Sequence, residues 1–166
     1  MSKYWQRRKR DEYYAKAVML LVKYVPAPAT VLDVGGNVSG GCKYLDWLPA
    51  GYTCTSVEYA AGNEAIPGVT VYHEDFMSWE APATYDAVMC LQVLEHVDDP
   101  WRFTRKLFSL APRRIISVPY MWPEEQCEYH QHDPVDEIKL QTWTRYPPHH
   151  QYFVDKHPCR RLVGLY

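Results

Sequence analysis

The chain has 166 residues, enough for one domain with its own core and no need of covalent staples. With 47% hydrophobic and 23% charged residues it reads as globular, and a net charge of −2 excludes a global field drawing it to nucleic acid or an anionic membrane. Its five cysteines are scattered without a C-x-x-C pair, which argues against a disulfide framework or zinc finger and for a reducing compartment.

The first ten residues are polar and basic, and Arg7-Arg8-Lys9-Arg10 reads as a solvated helix start. No signal-type segment follows, and no run approaches the roughly 18 apolar residues of a membrane span, so a soluble, cytoplasmic protein is expected. Tyr14, Val18, Leu21, Val22 and Val25 have helical spacing, which predicts a helix over 11–25, ended by Pro26 and Pro28. Strands are predicted over 30–34, 54–58, 69–72, 85–91 and 114–118. The run "YDAVMCL" has the unbroken apolar character of a central parallel strand. Between the last two strands, Asp99 can cap a helix with Pro100 in its first position and Phe103, Leu107 and Leu110 on one face.

Strands alternating with helices imply an α/β fold with a parallel sheet and right-handed crossovers. The connections are short, and trimmed helices are expected on at least one face. Beyond the fifth strand, a helix over 133–142 capped by Asp133 and a closing antiparallel hairpin from 151–154 and 161–165 are expected. No boundary divides the chain. One domain over 1–166 is expected, with a helical segment over 1–29, a ligand-binding core over 30–118 and a substrate-side segment over 119–166.

The stretch "TVLDVGGNVSGGCKYL" ends an apolar run in Asp33 and follows it with glycines. In a parallel sheet, ligands bind at the C-terminal strand ends, where Gly35 and Gly36 lie, and Glu58 ends the second strand, a place suited to ribose hydroxyls. Asn37 stands where a dinucleotide fingerprint needs its second glycine, and a side chain there crowds a pyrophosphate. No phosphate-binding P-loop occurs. A nucleoside without phosphates is the ligand this loop suits.

From Val31 to Val118 the chain resembles the class I S-adenosylmethionine-dependent methyltransferases, the type 11 group in particular. "VLDVGG" resembles that family's first motif, "VEY" its ribose-binding strand end and "HEDFMSW" its adenine-lining segment. "LEHV-D-P", followed by an amphipathic helix and a strand ending in proline, is the most specific likeness. The resemblance implies a Rossmann-like sandwich with a mostly parallel sheet and S-adenosylmethionine as cofactor. It implies that Asp33 organises the loop and reaches the methionine amino group, that Gly35 offers backbone, and that Glu58 binds the ribose. It places Asp75 on the adenine amino group, Phe76 on the ring, and Gln92 near the methionine. Gly36, Asn37, Tyr59 and Leu91 complete the expected cofactor lining. The family usually has glycine where Asn37 and Ser39 stand, a departure that bears on affinity.

Methyl transfer to a hydroxyl needs a proton acceptor. His96 of "LEHV" is the first candidate, with His130 and His132 of "EYHQHDP" beside it; Glu95 reads as structural. Glu128, His130, His132 and Asp133 also have a metal-ligand composition, but an Asp-capped helix start explains the same residues, and no metal is assigned. Tyr4, Trp5, Tyr120 and Trp122 are expected to wall the site. The expected activity is methylation of a small molecule or glycan, at a hydroxyl oxygen. The alternative is a non-catalytic S-adenosylmethionine-binding protein supporting a partner. A nicotinamide oxidoreductase and a nucleic-acid methyltransferase fit less well. The acceptor pocket draws on the N-terminal helix, the strand ends and the C-terminal segment, and a homodimer could complete it.

Overall fold

The computed structural model describes residues 11–36, 41–59, 67–155 and 160–166, with only the backbone described at 41–43. The first helix, α1, spans Glu12–Tyr24. Five parallel strands follow: β1 (Ala29–Val34), β2 (Tyr52–Val57), β3 (Val69–Tyr72), β4 (Ala87–Leu91) and β5 (Arg113–Tyr120). A 3-10 helix over Gly41–Trp47 links β1 to β2, and helix α2 (Pro100–Leu110) links β4 to β5. Helix α3 (Glu137–Thr144) and the hairpin of β6 (His150–Val154) and β7 (Arg160–Leu165) complete the described chain.

The seven strands form one sheet in the order β3-β2-β1-β4-β5-β7-β6. β7 runs antiparallel between β5 and β6, with Pro119 opposite Arg161 and Ile115 opposite Leu165. This is the mostly parallel sheet that the resemblance implies, and the expected closing hairpin is part of it. The strand order reverses between β1 and β4, where a ligand crevice belongs.

The alternation of strand side chains divides the core. Val31, Met89, Ile115 and Val163 face α1, whose Ala17, Leu20 and Leu21 are fully buried against them. Leu32, Val88, Ile116 and Leu162 face α2 and α3 through Phe103, Leu107 and Leu140. Each such leucine or isoleucine contributes roughly 1.5–3 kcal/mol by leaving water. Helices therefore cover both faces, which is why every residue of β4 is buried.

α2 begins as its sequence predicts, with the Asp99 side chain accepting from Arg102 N at 2.9 Å and Pro100 in the first turn. The helix expected over 133–142 starts later. Asp136, not Asp133, caps α3 by accepting from Lys139 N at 2.7 Å. Asp133 is held instead by a side-chain contact to His130. The basic run at 7–10, Tyr4 and Trp5, the loop residues Asn37 and Ser39, and most of the β2–β3 connection lie outside the described residues.

Candidate active site

A cavity of about 540 Å³ opens at the C-terminal ends of β1, β2, β4 and β5. Its floor is the end of β1, where Asp33 is 1% exposed. Tyr44 of the 3-10 helix donates to Asp33 Oδ1, and Ser56 Oγ of β2 donates to Oδ2 at 3.1 Å. Tyr44 is itself stacked on Tyr14 of α1, ring centroids 5.1 Å apart. Burial pushes the Asp33 carboxyl up to about 7; the two donated bonds oppose the rise, and the charge of nearby Glu58 adds to it.

Gly35 has φ 77°, and its N–H bonds to Val57 O at 2.9 Å. A Cβ here would lie 2.5 Å from Val93 Cγ2. The glycine is thus required by its own fold, since both its left-handed backbone and the approach of the β4 turn exclude a side chain. The close approach leaves Gly35 and Gly36 lining the cavity by their backbone.

Glu58, one residue past β2, is 8% exposed and lines the cavity, and Tyr59 beside it is 80% exposed at its rim. Asp75 and Phe76 lie on the turn after β3. Asp75 Oδ1 accepts from Met77 N at 3.0 Å, which orients the carboxylate, and Phe76 packs on Phe103 of α2 with centroids 4.7 Å apart. Leu91 ends β4. Gln92 follows with φ 59°, a conformation uncommon for a residue with a side chain and concentrated at functional sites. Its N–H bonds to Ser117 O at 2.8 Å and its Nε2 donates to Ser117 Oγ at 3.1 Å, so β5 holds it in place. Among the described residues, every one expected to line a cofactor borders this one cavity; Asn37 lies outside them.

The opposite wall is built from two segments clipped together. The turn after β4 carries Glu95, His96, Val97 and Asp98. The strap from Tyr129 to His132 crosses it. Gln131 N donates to Glu95 O at 2.8 Å, and Gln131 Nε2 donates to His96 O at 2.9 Å and to Asp98 Oδ1 at 3.1 Å. His96 Nδ1 lies 2.8 Å from Tyr129 O, and His132 Nε2 lies 2.7 Å from Val97 O. A carbonyl can only accept, so Nδ1 of His96 and Nε2 of His132 carry protons. These contacts bring the rings of His96 and His130 to 4.8 Å, centroid to centroid. His130 Nδ1 is 2.6 Å from Asp133 Oδ2 and donates to it. Each ring therefore carries a proton on Nδ1.

His96 and His130 line the cavity, but His132 does not. Its ring packs on Trp143 of α3, centroids 5.4 Å apart, and its Nε2–H is spent on Val97 O, so it clamps the strap rather than meeting a substrate. The four-residue set Glu128, His130, His132 and Asp133 does not converge. The group that does is Glu95, His96 and His130, whose ligand-type atoms lie within 4.8 Å of one another. Trp122 lines the cavity as expected, whereas Tyr120 turns away to donate to Glu137 Oε2 at 2.9 Å.

Sequence reasoning read Glu95 as structural and Tyr14 only as part of a helix face, and it passed over Arg161 and Tyr13. Glu95 is 1% exposed and lines the cavity. Arg161, at the start of β7, is 6% exposed there, with its guanidinium 5.1 Å from the Trp122 ring centre. The signals were present: a charged residue opening an apolar strand, and a Tyr pair on one turn of α1.

A family model described as a methyltransferase domain matches residues 4–161. No curated protein matches the sequence significantly. Among solved structures, the 1,6-didemethyltoxoflavin-N1-methyltransferase of Burkholderia thailandensis, with bound 1,6-didemethyltoxoflavin and S-adenosylhomocysteine, is similar. Its TM-score is 0.70 at 18% identity, over 95% of this chain and 78% of that one. The N-methyltransferase NodS from Bradyrhizobium japonicum, in complex with S-adenosylhomocysteine, gives 0.67 at 10% identity over 96% and 89%. The N-terminal domain of EvdMO1, with S-adenosylhomocysteine and D-fucose, gives 0.66 at 14% identity over 94% and 82%. At these identities the likeness is one of fold.

Proposed function

The chain belongs to the methyltransferase domain family, and we propose that it transfers the methyl group of S-adenosylmethionine to a hydroxyl oxygen of a small molecule or sugar. The cofactor supplies an activated methyl group on a sulfonium. The cavity suits it. Gly35 admits no side chain, and three carboxylates, from Asp33, Glu58 and Asp75, border one crevice at the switch point of the sheet. Glu58 is the acceptor for two ribose hydroxyls, Asp75 for an adenine amino group, and Phe76 forms the ring's wall. Asp33, sunk below the glycine turn, faces the amino end of the methionine. Three structural neighbours crystallised with S-adenosylhomocysteine, one of them also with a sugar, support this reading.

What this chain does to the reaction is mainly to align two partners, a large effect by itself. The cofactor side is set by β1, β2 and β4, and the acceptor side by Trp122, Arg161 and the histidine pair. The observation that carries the assignment to oxygen is that pair. His96 and His130 both direct Nδ1–H to an acceptor and line the cavity, which sets two imidazoles beside an acceptor hydroxyl. An amine acceptor attacks with a lone pair it already has; a hydroxyl gains from a base as it attacks. Arg161 over Trp122 suits a polar or anionic group on a planar or sugar-like acceptor.

The test is calorimetric titration with S-adenosylmethionine, S-adenosylhomocysteine and NAD in parallel, followed by labelled-methyl transfer to a panel of phenols, sugars and amines. The reading expects saturable binding of the two sulfur nucleosides, none of NAD, and label on hydroxyl acceptors. His96→Ala lowers kcat by 10²-fold or more, the usual order for loss of a base, while S-adenosylhomocysteine still binds. Label on amines alone, with kcat unmoved in His96→Ala and in His130→Ala, would replace oxygen with nitrogen.

A further inference from the structure

We infer that Glu95, His96 and His130 form a binding site for a divalent first-row transition-metal ion. A carboxylate oxygen and two imidazole nitrogens lie within 4.8 Å of one another. Ligands about 2.1 Å from one ion stand about 3–3.5 Å apart, so these atoms close by at most about 1.8 Å to meet one ion. His96 Nε2 is already 3.8 Å from Glu95 Oε1.

The surroundings are those of a ligand set. Metal-binding histidines donate their second ring nitrogen to a carboxylate or a backbone carbonyl, which fixes the tautomer and raises ligand basicity. Both arrangements occur here: His130 Nδ1 on Asp133 Oδ2 at 2.6 Å, and His96 Nδ1 on Tyr129 O at 2.8 Å. The strap is fastened by bonds from Gln131 and His132 to the backbone of residues 95–97, so His130 is held over His96 before any ion arrives. Two imidazoles among three ligands favour zinc, copper, nickel or iron over magnesium, calcium and manganese.

What the ion does rests on the methyl-transfer reading. Held by Glu95, His96 and His130, an ion would acidify an acceptor hydroxyl in the cavity, whose proton would go to water as the O–C bond forms and the S–C bond breaks. The histidines then act through the ion rather than by taking the proton themselves.

The experiment uses tag-free, full-length protein stripped with a chelator and titrated with Co²⁺, followed by visible absorption, and with Zn²⁺ and Mg²⁺ by calorimetry. The expected result is one Co²⁺ or Zn²⁺ per chain with micromolar or tighter affinity and far weaker Mg²⁺ binding. His130→Ala and Glu95→Gln each weaken binding tenfold or more, and Asp133→Asn weakens it by roughly 10–100-fold. His149→Ala, outside the cavity, leaves it unchanged. Circular dichroism checks each fold; if Glu95→Gln unfolds, His130→Ala and Asp133→Asn carry the test. A folded wild type that takes up none of the three ions, or Co²⁺ affinity unchanged in His130→Ala, overturns the inference. S-adenosylhomocysteine titrated into the same samples separates the two ideas. If it binds where Co²⁺ does not, the metal site falls and methyl transfer stands; the reverse pattern removes the cofactor reading and keeps the site.

Discussion

The hydroxyl of Tyr44 donates to the buried carboxyl of Asp33, so the 3-10 helix is tied to the floor of the cavity by a group that changes charge near neutrality. The Asp33 carboxyl is raised from 3.8 to about 7 by burial. The fold therefore favours its protonated form. That contribution to stability is fully present below about pH 4 and is lost as pH rises through about 7. A methionine ammonium beside Asp33 reverses the preference, so binding below pH 7 expels a proton. The Kd for S-adenosylhomocysteine should fall roughly tenfold between about pH 5.5 and 7. Calorimetry in two buffers of different ionisation heat reads the released proton directly. A flat Kd with no proton release removes Asp33 as the charged partner.

Glu58 stands at the end of β2, almost wholly out of water and on the cavity wall. Its truncation to alanine should weaken S-adenosylhomocysteine binding by tenfold or more, since hydrogen bonds to a charged group contribute about 1.5–3 kcal/mol each. Asp46→Ala, at an exposed position on the 3-10 helix, is the control. Equal affinity for the wild type and Glu58→Ala would move the ribose elsewhere.

At Gly35 both φ and space exclude a side chain. Gly35→Ala should cost about 1–3 kcal/mol of unfolding free energy, the usual range for a residue held in a sparsely populated conformation. Denaturant titration measures it. The double variant with Val93→Ala removes the 2.5 Å contact and leaves the backbone strain, so it should recover part of the loss and not all of it.

Away from the cavity, the Thr104 hydroxyl of α2 lies 2.6 Å from Trp143 O of α3, both groups out of water. Thr104→Val keeps the shape and strands that carbonyl. The expected loss is about 1–3 kcal/mol, seen as a lower urea midpoint, with S-adenosylhomocysteine affinity unchanged. A loss of affinity would mean that α3 and the strap it follows transmit to the site.

The sheet was legible because its strands are buried on both faces, and such strands read as unbroken apolar runs; "AVMCL" is one. Helix starts were legible only where no other side chain competes for the capping aspartate. Asp99-Pro100 and Asp133-Pro134 are the same pair of residues, yet only the first opens a helix. At the second, His130 takes the aspartate, a contact no propensity contains. The residues proposed for the cofactor could be placed on one cavity because they follow strand ends in order. The acceptor side could not, because His96 and His130 meet only through the strap, and Glu95 joins them from a position whose burial a linear chain does not declare.

The insertion of β7 between β5 and β6 has a consequence for how the molecule becomes active. Arg161 reaches the cavity only after a strand late in the chain has slid in beside Pro119, a pairing between distant positions in sequence. Such pairings carry a loop-closure cost and form slowly. A nascent or clipped chain lacking this strand keeps the three carboxylates of the proposed cofactor side but lacks Arg161 from the proposed acceptor wall. Turnover, more than cofactor retention, is then the sensitive report of a fully assembled molecule.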